Sequence, residues 1–170
     1  MTLTPLLYMP LYLQIHVSCA LVSIFLGAFV VLRRKRDRLH KVTGYIWTLA
    51  MAAVALSSFW IREYALIGPF SPIHLLSVLT LWTLWSGIRF AVAGRIRAHR
   101  AAFRNLYWYG LLVAGTLNFL PGRRMNQVVF GDTPDMGLWF IGAVAGLVVT
   151  INLWIFVTRR WGAVSTAAAG

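Results

Sequence analysis

The segment Leu11–Leu32 contains no Lys, Arg, Asp or Glu, and it ends against Arg33-Arg34-Lys35-Arg36-Asp37-Arg38. A helix needs about 20 mostly apolar residues to cross a bilayer. Residues 42–61 repeat the pattern and stop at Arg62-Glu63, after which Gly68, Pro69 and Pro72 mark a turn, because proline cannot continue a helix. A third stretch, 73–92, runs into Arg95-Ile96-Arg97-Ala98-His99-Arg100, and a fourth, 103–120, is cut off by Pro121-Gly122. Residues 121–137 form the longest connection, 138–157 a fifth span, and the tail 159–170 ends in small residues that are expected to fray. The expected fold is an all-α integral membrane bundle of five transmembrane helices in a single domain covering 1–170.

Composition agrees. Hydrophobic residues make up 59% and charged residues 12% of the 170, with mean hydropathy +0.72. Soluble domains run at about 45–50% and about 25%. So much apolar surface has too little interior to hide in, and a disordered chain is excluded for the opposite reason. The net charge of +12, from 16 Lys and Arg against 4 Asp and Glu, would point to nucleic acid in a soluble chain. Here the cations fall in short runs between apolar stretches, which is a topology signal, and no nucleic-acid partner is expected. The single cysteine, Cys19, lies in an apolar run, so an intrachain disulfide is impossible. With no C-x-x-C-H, a covalently attached c-type haem is excluded. The first cation is Arg33, so the apolar N-terminus lacks the basic region of a signal peptide and is expected to stay as a span.

Positive charge sets orientation. Stretch 33–41 holds six Lys or Arg, 95–104 holds four, and the tail adds Arg159 and Arg160, whereas the other side holds Arg62, Arg123 and Arg124. The N-terminus is expected outside and the C-terminus in the cytoplasm of a bacterial inner membrane, with short loops making antiparallel neighbours.

The four histidines lie near span ends. At 1.5 Å rise per residue, His16 and His74 fall within about one turn in depth near the outer side, and His40 and His99 do so near the inner side. Each half of the chain echoes the other: Ile15-His16 precedes His40-Lys41 as Ile73-His74 precedes His99-Arg100. In a ring of four helices, spans one and three are diagonal, as are two and four. Diagonal imidazoles suit bis-histidine ligation of haem iron, two b-type haems in all, with apolar helices walling each macrocycle. Propionates need cations: Arg38, Lys41, Arg97 and Arg100 flank the inner pair, and Arg62, Arg123 and Arg124 serve the outer one. A lone histidine near a span end is more often an interfacial polar residue, and basic flanks occur at cytoplasmic ends whatever the function. A single zinc site is disfavoured because the layers lie about a membrane thickness apart.

Trp60, Tyr64, Tyr107, Trp108 and Trp161 read as interface belts, while Trp47, Trp82 and Trp85 lie deeper, for core packing or for a porphyrin face. Gly142-x-x-x-Gly146 is a small-residue pattern for helix association, making span five the candidate face for a protein partner or a second copy. Arg89, near the inner end of span three, is placed to snorkel. Arg123 and Arg124 stand against the topology rule and call for an anion: a propionate, Asp132 or Asp135, or lipid phosphate. A solvated loop is the alternative.

From His16 to Arg124 the chain resembles an uncharacterised family of small bacterial histidine-bearing membrane proteins, most closely at His40-Lys41-Val42-Thr43-Gly44-Tyr45 and His99-Arg100. The histidine layout also resembles transmembrane diheme cytochrome b proteins, including quinol-linked and superoxide- or ferric-reductase types. That resemblance implies His16 and His74 on an outer haem and His40 and His99 on an inner one. The function expected is transmembrane electron transfer by two b-type haems, with quinone as donor or acceptor, although no residue marks a quinone site. The rivals are a haem-free membrane subunit or scaffold and a small transporter, the latter poorly supported because carboxylates are nearly absent from the spans.

Overall fold

The computed structural model describes residues 10–33, 35–61, 72–131 and 133–167, all helical or connecting. Helix α1, Leu11–Leu32, starts after Pro10 and ends where Arg33 turns to extended backbone while its N–H still reaches Phe29 O. Helix α2, Arg38–Ser57, starts on Asp37, whose carboxylate accepts the His40 backbone N–H at 3.0 Å as an N-cap. Arg33 holds that carboxylate from the other side. The far end of α2 tightens into a 3-10 turn, Ser58–Trp60.

Helix α3, Pro72–Val92, closes in a Schellman motif: Arg95 N–H bonds Phe90 O at 2.8 Å and Gly94 N–H bonds Ala91 O at 3.2 Å. Gly94 takes φ +70, a conformation that costs a residue without Cβ little. The chain reverses there and enters α4, Ile96–Asn105, which continues as a π-helical segment, Leu106–Val113. Short turns at Ala114–Thr116 and Leu117–Phe119 follow, then α5, Arg124–Phe130, and α6, Met136–Ala167.

Among the described residues, three helices are long and apolar enough to cross a membrane: Leu11–Leu32, Arg38–Trp60 and Ile73–Val92. They match the first three expected spans. Beyond them the structure departs from expectation. The basic stretch expected as a loop at 95–104 is helical from Ile96, because the Gly94 cap ends the turn early. The connection 121–137 holds a helix, α5, stopped by Gly131 at φ +55. The last helix runs through the segment expected to fray as far as Ala167, in keeping with the high helix propensity of alanine. The turn at 62–71 lies outside the described residues, as do Asp132 and 168–170.

The chain divides into two compact units, Leu3–Gly115 and Thr116–Gly170, the second also counting Met1–Thr2. In the first, α1 packs on α2, α2 on α3, α3 on α4, and α4 with its π-helical continuation returns to α1. That closed ring sets α1 and α3 on one diagonal and α2 and α4 on the other. Its core is Trp47, Met51, Leu84, Leu106, Tyr107 and Leu111. A buried indole or phenol needs a partner for its polar tip. Trp47 Nε1–H donates to Ser23 O at 2.9 Å, and Tyr107 O–H donates to Ile24 O at 3.1 Å. Both rings enter the notch at Gly27, where a Cβ would lie 2.4 Å from Trp47 Nε1 and 2.6 Å from Tyr107 Cδ2.

The polarity of this unit is inverted relative to a soluble protein. Ser23, Ser57, Ser58, His74, Ser77 and Thr80 are buried, while Phe25, Leu49, Leu75 and Trp82 face outward. When the solvent is lipid, apolar side chains gain nothing by hiding, and polar ones gather where they can bond each other.

In the second unit, buried Asn126 ties two bends together, donating to Phe119 O at 2.6 Å and to Pro134 O at 2.8 Å. Phe119, Phe130 and Phe140 pack around it in mostly edge-on ring contacts.

The Asp37 cap yields a pH test. Arg33, and after it the His40 N–H, hold the Asp37 carboxyl down from 3.8 to about 2. A depressed carboxylate contributes stability above its unfolded value and loses it as pH falls through the folded one. The cap is expected to be intact at neutral pH and to weaken between about pH 4 and 2. Asp37→Ala should lower the thermal midpoint in detergent at pH 7 and flatten this acid dependence. Asp37→Asn, which still caps, should keep the neutral-pH midpoint and lose only the acid dependence.

Candidate functional site

The ring brings the histidines together at its two ends. At one end His40 stands in the first turn of α2, its backbone fixed by the Asp37 cap. His99 stands in the first turn of α4, on the opposite diagonal corner. The two imidazoles are close enough for the charge of one to act on the other. His99 Nδ1 lies 3.0 Å from Gly87 O. A carbonyl only accepts, so Nδ1 carries a proton, and in the neutral ring Nε2 then has the lone pair. The Phe103 ring sits 4.8 Å from the His99 ring and fills the notch at Gly87, where a Cβ would lie 2.2 Å from it. His40 Nδ1 is buried and makes no hydrogen bond among the described residues. A polar nitrogen kept from water without a partner is costly.

At the other end, His16 Nδ1 lies 3.0 Å from Val54 O and 3.1 Å from Ser57 Oγ. This again places the proton on Nδ1 and leaves Nε2 as the donor atom. His74 differs: its Nε2 lies 3.3 Å from Phe59 O and is protonated toward it. Ser58 and Ser77 bond each other beside this pair, so the layer is a polar cluster linking α1, α2 and α3.

These positions test the fit of haem. Iron-bound histidine ordinarily donates its other ring N–H to a carbonyl or carboxylate, which fixes the tautomer and raises basicity. His99 and His16 have that arrangement, with Gly87 and Val54 as the carbonyls. His40 offers an unbonded buried nitrogen. His74 must give up its bond to Phe59 O before its Nε2 is available. The ring nitrogens of His99 and His16 thus have the orientation a haem ligand needs, His40 has an unbonded nitrogen, and His74 would have to rotate. Among the described residues no cluster of three or more His, Cys, Asp or Glu forms a metal site.

The cations divide. Arg38, Lys41, Arg97 and Arg100 are exposed at the His40/His99 end, where the propionates of a haem would need cations. Arg123, in the second unit, is half-buried and has an interaction partner. The side chain of Arg124 and the whole of Arg62 lie outside the described residues. Of the deeper tryptophans, Trp47 is core, whereas Trp82 and Trp85 face outward and stack on each other with centroids 4.9 Å apart.

The sequence reading picks Gly27 and Gly87 as points of close helix approach, which the structure bears out, but misses Phe103, the Gly87 carbonyl as an acceptor and the serine cluster. His99 was read as lying just ahead of a span, so its reach back to the preceding helix was invisible. The serines had a signal, since His74 and Ser77 are three apart on one helix face.

No curated protein and no solved structure matches the chain. The family described as predicted membrane protein (DUF2306) matches residues 13–158, and the chain belongs to that family.

Proposed function

We propose that this protein is a membrane-embedded b-type cytochrome that carries electrons within the bacterial inner membrane. The observation that carries the reading is the pair of histidines at one end of the ring: His99 oriented by the Gly87 carbonyl through Nδ1, and His40 with a buried, unbonded Nδ1. A second haem on His16 and His74 completes the proposal. The haem, when bound, supplies one-electron redox chemistry, and the protein supplies ligands, orientation and electrostatics.

The residues divide that work. His99 is held by Gly87 O and backed by Phe103; His40 is held by the Asp37 cap. Arg38, Lys41, Arg97 and Arg100 would bind propionates at the membrane edge, and Trp47, Tyr107 and Met51 exclude water from the space between the layers. The proposal includes five spans, the last two formed by the helical run from Ile96 and by α6, with the basic loops cytoplasmic and the N-terminus outside. Electrons exchange with a membrane-soluble carrier, for which quinone is the natural class. The Gly142-x-x-x-Gly146 face of α6 is the proposed surface for a partner or a second copy.

A haem-free scaffold is the second reading. It is favoured by the filling of the Gly27 and Gly87 notches with the protein's own aromatic rings. Absorbance separates the two. Protein purified from cells supplied with haem should show a b-type α-band on reduction; a colourless preparation would favour the scaffold.

A further inference from the structure

Arg89 is the one charged residue in the third span, Ile73–Val92. It sits in the last turn of α3 and is exposed, on the outward stripe that also carries Trp82, Trp85 and Val92. The opposite face, with Ser77, Thr80, Leu84 and Gly87, is the buried one. The guanidinium carbon lies 4.8 Å from the centre of the Trp85 ring. An ionised side chain facing hydrocarbon is costly, and a π-face neutralises none of its charge.

The protein offers no free carboxylate for it among the described residues of this unit. It has 16 Lys and Arg against 4 Asp and Glu. Asp37 is the only carboxylate among the described residues of this unit, and Arg33 holds it. Arg95, its guanidinium 5.1 Å from the centre of the Phe90 ring, and exposed Arg97 add positive potential at the same end.

We infer that Trp85 and Arg89 form a binding site for the phosphate of an anionic phospholipid in the leaflet at the His40/His99 end. The guanidinium donates to phosphate oxygens, and the indole packs against the glycerol and upper acyl region, where amphipathic rings settle. A net-anionic lipid is preferred because phosphatidylcholine brings its own cation to a surface that already has an excess. The site is independent of haem.

Quenching of tryptophan fluorescence by brominated lipids tests this. The protein is placed in phosphatidylcholine nanodiscs doped with brominated phosphatidylglycerol or, at the same mole fraction, brominated phosphatidylcholine. The Trp85 contribution is taken as the difference from Trp85→Phe. Brominated phosphatidylglycerol is expected to quench that contribution with about five-fold higher apparent affinity, the factor one Arg near an anionic surface contributes. Arg89→Gln should abolish the preference, and Arg89→Lys should keep most of it. Equal quenching by the two lipids would overturn the inference. So would quenching by neither, which would show the stripe covered by α6 or a second copy, and so would competition by inorganic phosphate at matched ionic strength, which would show a free-anion site.

Discussion

His99→Ala and His40→Ala are each expected to remove the same haem, the first by deleting an oriented ligand and the second by deleting its diagonal partner. Bis-histidine ligation needs both imidazoles, so the loss of that haem's absorbance should be nearly complete in either variant, about half of the total if the second layer is filled. His16→Ala and His74→Ala should leave this haem in place. The effect should not be one of folding, because both residues sit in first helical turns near the rim and not in the Trp47 core. Haem content per protein and thermal midpoints of the four variants, measured together, check this. If His16→Ala and His40→Ala removed a haem in common, the layers would be wrong. If all four variants kept full colour, histidine ligation would be wrong.

Trp47→Ala should be the most destabilising single change. The residue is 1% exposed, donates to Ser23 O, and packs on Phe103 with ring centroids 5.4 Å apart. Truncating a buried aromatic to alanine costs about 3–5 kcal/mol. Trp47→Phe keeps most of the ring and loses the indole N–H, so its cost should be nearer about 1 kcal/mol. Ser23 O still belongs to the α1 ladder, so no backbone group is orphaned. Unfolding in micelles measures both. A loss below about 1 kcal/mol for Trp47→Ala would show that the ring is not the packing centre of the bundle.

How much of this was legible depends on which physical signal each element carries. Helix α1 was readable to the residue, since Pro10 bounds one end of the apolar run and Arg33 the other. The pairing of histidines by depth rests on rise per residue and chain direction, and its test is which histidine variants lose a haem in common. Helix α4 was misjudged because Arg97, Arg100 and Arg104 read as a loop. They are the exposed face of an amphipathic helix whose other face carries Ile96, His99 and Phe103. Gly94 was the available clue, as a cap glycine just past an apolar run. The π-helical winding of Leu106–Val113 has no compositional signature and was out of reach. So were the carbonyls of Gly87 and Val54, because backbone acceptors carry no letter in a sequence. The outward turn of Trp82 and Trp85 was missed for another reason: in lipid, a tryptophan stripe is as stable outside as inside.

The measurement that bears most directly on the central claim is low-temperature electron paramagnetic resonance of the oxidised, purified protein, compared with His99→Ala. Two imidazole ligands would make a strong ligand field, so the proposal predicts low-spin ferric signals, of which the substitution abolishes or converts to high spin the share that belongs to the His40/His99 haem. Protein that shows no haem signal after expression with haem supply, or a low-spin signal that His99→Ala leaves unchanged, would contradict it.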